Sequence, residues 1–202
     1  EAGYIGLIFS GSAEYMAMYG SYEPIFGTNP MAFGIPTRDK PVVFDMATAA
    51  IARFGIVEAK TAGRTIPGAV AYDKDGNLTT DPAAALGGAM RAFGGYKGAA
   101  LAFMVEVLTH ALVNTTPDET GKKNDWGNLV MALDPELLAD REPFIERVSE
   151  LVARVKAARK LPGVEAILMP GERGNAVLEA ALQTGQLEIE GELWAALQRA
   201  AG

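Results

Sequence analysis

Four short segments set glycine or proline beside a side chain able to bind: Gly27-Thr28-Asn29-Pro30, Phe44-Asp45-Met46-Ala47-Thr48, Gly94-Gly95-Tyr96-Lys97-Gly98 and Pro170-Gly171-Glu172-Arg173. Each lies at the end of an apolar run, where glycine removes the Cβ obstacle and unpaired backbone groups can face a ligand. Together they suit one site for a large, polar, phosphate-bearing molecule. Asp45 ends the apolar run Val42-Val43-Phe44. An unpaired buried carboxylate is costly, so Asp45 either caps the next helix or accepts hydrogen bonds from ribose hydroxyls in a cleft. Lys97 is the only charged residue from Ala92 to Met104. An ammonium at the start of an apolar helix, beside that helix's free N–H groups, makes an anion site. Asn29 precedes proline and is expected to be extended, its amide serving a ligand or a turn. Gly171 and Glu172 read equally as a helix start or as ligand contacts.

The spacing excludes the common nucleotide fingerprints. There is no Gly-Lys-Ser/Thr phosphate loop, and no Gly-x-Gly-x-x-Gly after the first strand, so an ordinary Rossmann site is not supported. The single histidine, His110, cannot hold a metal alone and has no carboxylate cluster of ligand spacing around it; it reads as a packed or interface residue. No metal site is expected. Trp126 and Trp194 read as packing anchors.

Apolar runs bounded by turn residues predict strands at about 4–10, 31–36, 41–46, 129–134 and 164–169. Helical spacing predicts a helix from Thr48 to Lys60, with Thr48 as a possible cap, and one begun by Asp81-Pro82 and running to about Phe93. A third, Gly98 to Val113, is apolar enough to be buried on most sides, and a fourth carries the one-face stripe Phe144, Val148, Leu151, Val155. A further helix follows Pro170-Gly171-Glu172-Arg173. Asp73-Lys74-Asp75-Gly76-Asn77 is a turn, and residues 114–127 form the longest polar connection. Strands alternating with helices mean α/β.

The 202 residues suffice for one sizeable domain, and 49% hydrophobic content predicts a true core. Net charge is −7 with both signs interspersed, which argues against a nucleic-acid partner. Cysteine is absent, so disulfides and thiolate chemistry are excluded. No apolar run reaches transmembrane length, so no membrane partner and a cytoplasmic location are expected. The chain opens at Glu1 and enters a strand at once, which leads us to expect further sequence upstream.

In their order, these segments resemble the malate/L-lactate/L-sulfolactate dehydrogenase family, which includes ureidoglycolate dehydrogenase, diketogulonate reductase and cyclic-imine reductases. The resemblance runs through Gly27-Thr28-Asn29-Pro30 with Gly34-Ile35-Pro36, and through Asp45-Met46-Ala47-Thr48. It continues with Asp73-Lys74-Asp75-Gly76-Asn77, Thr80-Asp81-Pro82, Gly94-Gly95-Tyr96-Lys97-Gly98, Val105-Glu106-Val107-Leu108 and Pro170-Gly171-Glu172. It implies a non-Rossmann α/β fold, a mixed sheet flanked by helices, of which residues 1–202 are the major cofactor-binding part. It also implies an oxidoreductase using NAD or NADP to interconvert a small-molecule 2-hydroxy acid and its 2-oxo acid, and a homodimer. By the same resemblance Val42, Val43, Phe44, Asp45, Met46, Ala47, Tyr96, Lys97, Gly171, Glu172 and Arg173 contact the cofactor.

The family's catalytic histidine lies in an N-terminal Ser-His-Gly-type segment that this chain does not contain, and His110 does not match it. Gly11 also stands where the family frequently carries asparagine. No residue here is assigned as catalytic, and the chain alone is expected to be inactive, its N-terminal catalytic region missing. The alternatives are a cofactor-binding or regulatory module without catalysis, and a cyclic-imine reductase.

Overall fold

The computed structural model describes residues 2–115 and 126–201. The first strand, β1 (Ile5–Ser10), is followed by the short β2 (Met16–Ala17) and β3 (Pro24–Phe26), then β4 (Met31–Ile35) and β5 (Val42–Met46). Next come α1 (Arg53–Thr61), β6 (Ala71–Tyr72), α2 (Pro82–Gly87), β7 (Ala89–Met90) and α3 (Tyr96–Glu106). Beyond α3 lie β8 (Asn128–Leu133), α4 (Arg141–Lys156), α5 (Glu172–Thr184) and α6 (Gly191–Ala200).

The strands form two sheets. The first has the order β5-β4-β1-β8 and is antiparallel throughout, which places β5 on its outer edge. Because strand side chains alternate, the register sorts the residues onto two faces. Phe33 opposes Phe44 and Leu7 opposes Phe33, so one face is apolar and aromatic. On it Phe9, Phe33 and Phe44 meet edge to face, with centroids 6.2 and 5.8 Å apart. The other face carries Gly6, Ile8, Ala32, Gly34, Val43 and Asp45. A Cβ added at Gly6 or Gly34 would meet no atom within 4 Å, so this face is open.

The second sheet has the order β3-β2-β7-β6, with β2 and β7 parallel. The buried core gathers around it: Met16, Phe26, Met90 and Ala71 from the sheet, Ile56 and Ala59 from α1, Ala85 from α2 and Ala102 from α3. Its strands are two or three residues long, too short to leave a period in the sequence. That is why this sheet was not foreseen, whereas β1, β4, β5 and β8 fall where the apolar runs predict them.

Three expectations are corrected. Residues 164–169 form no strand. A strand needs a ladder partner, and here the Glu172 carboxylate takes the Met169 N–H (3.0 Å) as the run turns into Gly171. The helix after β5 begins at Arg53 rather than Thr48, because the Thr48 hydroxyl donates to Thr28 O (2.9 Å) and caps nothing. Asp81 does cap α2, accepting from Ala83 N and Ala84 N, but α2 ends at Gly87. There Gly88 lies so close to Tyr72 O that a Cβ would overlap it, and the chain turns into β7.

The third helix is less enclosed than its composition predicts. Phe103 and Met104 are about half exposed, whereas Ala99, Ala102 and Val105 are buried. After Glu106 the helix widens into a π-helical turn, Val107–Ala111. Most of the polar connection expected at 114–127 (residues 116–125) lies outside the described residues.

Candidate cofactor site

Edge strand β5 organises the candidate residues. Val43 and Asp45 face the open side of the sheet, and Val42, Phe44 and Met46 face the aromatic side. A ligand lying along the edge would therefore meet backbone more than any single row of side chains. Asp45 is exposed and, among the described residues, its side chain makes no hydrogen bond or ion pair. It does not cap a helix either, since α1 starts eight residues later without a side-chain cap. Of the two roles open to it from sequence, the cap is removed.

At one end of β5 the Pro170–Arg173 turn comes against the strand. Gly171 has φ +89°, and a Cβ there would stand 3.0 Å from Val43 O, so glycine permits both the turn and the approach. Val42 and Glu172 line a common cavity of about 260 Å³ with Lys40, Met169 and Asn175. The Glu172 carboxylate is occupied locally, pairing with Lys156 and accepting from Met169 N. The Lys156 hydrogen bond, then the Met169 N–H, hold its carboxyl below the ordinary value of 4.5. Arg173 is exposed beside it.

At the other end, Thr48 N donates to Thr28 O and Thr48 O accepts from Phe93 N (3.0 Å). This ties the strand's continuation to the turn that opens α3. Gly94 and Gly95 have φ +57° and +63°, a left-handed pair that delivers Tyr96 and Lys97 to the first turn of the helix. Both are exposed, and Tyr96 meets Tyr19 edge to face at 6.1 Å. From Val43 to Thr48 the strand spans roughly 16 Å at about 3.3 Å per residue, a length that an extended dinucleotide can bridge.

The structure thus brings Gly171 to Val43 and Glu172 to the cavity that Val42 lines, and joins Phe93, at the head of the turn before Tyr96 and Lys97, to Thr48. No cavity among those described holds Asp45, Lys97 and Glu172 together.

Asn29 departs from expectation. It is not extended: φ is +42°, in the left-handed region that asparagine tolerates better than most residues. Its amide is buried and serves no surface, since Nδ2 donates to Ala102 O and Glu106 Oε2, both at 2.9 Å. His110 is packed, as expected, at 6% exposure. Its ring lies so close to Gly11 that a Cβ there would overlap His110 Cε1 and stand 2.8 Å from Thr109 Oγ1. Sequence reasoning missed Ser12, a buried residue whose Oγ accepts from Thr28 N at 3.1 Å. Its adjacency to Gly11 was the one available signal. Among the described residues no group of His, Cys, Asp and Glu could hold a metal, and no helix is long and apolar enough to cross a membrane.

An antiparallel sheet with a glycine-flanked edge strand, and no phosphate loop, defines a mixed α/β protein outside the Rossmann class. The family model described as malate/L-lactate dehydrogenase, Ldh_2, matches residues 1–198, and the chain belongs to that family of oxidoreductases. It is 39% identical over 178 residues to the L-sulfolactate dehydrogenase of Methanothermobacter thermautotrophicus, covering 83% of this chain and 50% of that protein. It is 38% identical over 203 residues to the Delta(1)-pyrroline-2-carboxylate/Delta(1)-piperideine-2-carboxylate reductase of Pseudomonas putida, covering 96% and 58%. Among solved structures, a dehydrogenase from Sinorhizobium meliloti superimposes with a TM-score of 0.88 at 32% identity, over 98% of this chain and 59% of that one. The chain therefore spans about half the length of the curated relatives it matches.

Proposed function

We propose that this chain is the cofactor-binding part of an oxidoreductase that uses NAD or NADP to interconvert a 2-hydroxy acid and its 2-oxo acid. The observation that carries the reading is the position of β5. It is an outer strand of its sheet, with Gly171 against Val43 at one end and Phe93 hydrogen-bonded to Thr48 at the other. The names of the relatives support the substrate class, since malate, lactate and sulfolactate are all 2-hydroxy acids.

In this reading the backbone edge from Val42 to Ala47 runs along the dinucleotide. Lys97 and the free N–H groups of the first turn of α3 meet its phosphates. Asp45 accepts from a ribose hydroxyl, and the exposed Tyr96 and Arg173 flank the ends. Glu172 acts at one remove, holding the Gly171 turn closed through Lys156 and Met169 N. When bound, the nicotinamide supplies the hydride; the residues named here bind and orient it.

Equilibrium titration of the protein with NADH and NADPH, followed by nicotinamide fluorescence, tests the reading. Saturable binding of at least one of them is expected, and binding of neither would reject it. A second reading, reduction of a cyclic imine, is favoured by the Pseudomonas putida relative. NADPH oxidation with Δ1-pyrroline-2-carboxylate, against pyruvate and oxaloacetate, separates the two. Because this chain alone is expected to be inactive, the comparison is made in the full-length protein, where cofactor binding with no turnover of any of these would instead favour a module without catalysis. The half-exposed Phe103 and Met104, with Leu112 and Val113 beyond them, support a homodimer. Light scattering at several concentrations reads that directly, a monomer at all of them being the contrary result.

A further inference from the structure

A buried polar network lies behind the Thr48 end of β5, and its centre is a carboxylate that the proposed cofactor contacts leave unused. Asn29 is fully buried in a left-handed conformation before Pro30. Its Nδ2 donates to Ala102 O and to Glu106 Oε2. The Ala102 carbonyl can only accept, so the amide nitrogen must face α3 and the side chain has one orientation. Glu106, 8% exposed, places its other oxygen 3.3 Å from His110 Nδ1. The π-helical turn from Val107 to Ala111 carries His110 to this position, while Thr109 Oγ1 bonds back to Val105 O at 2.8 Å.

From Asn29 the network reaches the strand. The preceding residue, Thr28, accepts at its carbonyl from both Thr48 N and Thr48 Oγ1, each at 2.9 Å. Thr48 O in turn accepts from Phe93 N, at the head of the turn that carries Tyr96 and Lys97. Glu106 therefore fixes Asn29, which fixes the Thr28 carbonyl, which holds Thr48 and through it the relation of β5 to the start of α3. Gly27 closes the arrangement, since a Cβ there would overlap Ser12 Oγ and stand 2.6 Å from Asn29 Oδ1.

We infer that Glu106 is a positioning residue for the cofactor site. It acts through Asn29 to hold the Asp45–Thr48 end of β5 in register with Lys97. The inference rests on the cofactor reading above, and its test separates the two. Glu106→Asp draws the carboxylate back by one methylene and breaks the reach to Asn29, whereas Glu106→Gln keeps an acceptor at the same distance. With the protein well below its melting temperature, Glu106→Asp is expected to raise the NADH dissociation constant about ten-fold. Glu106→Gln should stay within about three-fold of wild type. A role confined to overall stability would leave affinity in the folded protein unmoved.

Hydrogen exchange, measured without ligand, keeps the claim testable if wild type binds neither NADH nor NADPH, an outcome that rejects the cofactor reading alone. Segments 45–49 and 93–97 should exchange faster in Glu106→Asp, but not in Glu106→Gln, while α4 is unchanged. Equal exchange in the two variants, or NADH affinity in Glu106→Asp matching wild type, would overturn the positioning role.

Discussion

Gly11 and His110 show how single residues constrain one another across the fold. The imidazole fills the space that any side chain at position 11 would need. Gly11→Ala should therefore cost about 1–3 kcal/mol through overpacking. In a His110→Ala background the same change should cost at least about 1 kcal/mol less, because the two sites share one volume. Thermal unfolding of the four proteins of that cycle checks both figures, and additive costs would count against the packing account. At the proposed site, Asp45→Asn should raise the ratio of NADPH to NADH affinity about ten-fold, since a carboxylate at a ribose accepts from a 2′-hydroxyl and repels a 2′-phosphate. Competitive titration with the two cofactors reads that ratio. Lys97 and Asp45 could be picked out in the sequence because a lone charge in an apolar run is conspicuous. Asn29 was equally visible but misread: nothing local shows that its amide partner is Glu106, 77 positions further along the chain.

Among the elements, α2 owes its start to one side chain. Asp81 accepts from Ala83 N and Ala84 N, and its replacement by alanine should cost about 1 kcal/mol. Urea unfolding measures this as a lower midpoint with unchanged slope. The start of α5 depends on pH instead. The Glu172 carboxyl is held below 4.5 in the folded chain, so its deprotonated form stabilises the fold. That contribution is complete above 4.5 and is lost as pH falls through the lower folded value. Amide protection around 169–173, taken relative to the intrinsic exchange rate at each pH, should consequently fall on acidification below pH 4.5, and Glu172→Gln should abolish that pH dependence. The aspartate-proline start of α2 and the glycine turn before α5 were legible, because caps and turns are written in neighbouring residues. The failed strand at 164–169 was not, because an apolar run becomes a strand only where a free edge receives it.

At the scale of the whole molecule, the first sheet could be read from four apolar runs, and the second could not. Strands of two residues exist here because tertiary packing around Met16, Ile56 and Met90 holds them, not because their sequences prefer it. Likewise the order of the glycine-flanked segments announced the family, while the approach of Gly171 to Val43 and the bond from Phe93 N to Thr48 O needed coordinates. In the function we propose, a nicotinamide dinucleotide lies along the outer edge of β5, between the Gly171 turn and the start of α3. Hydrogen exchange with and without saturating NADH or NADPH, whichever binds, tests it most directly. Slower exchange should be concentrated in 42–48, 94–98 and 169–173. Saturable binding that leaves those three segments unchanged, and protects others instead, would contradict it.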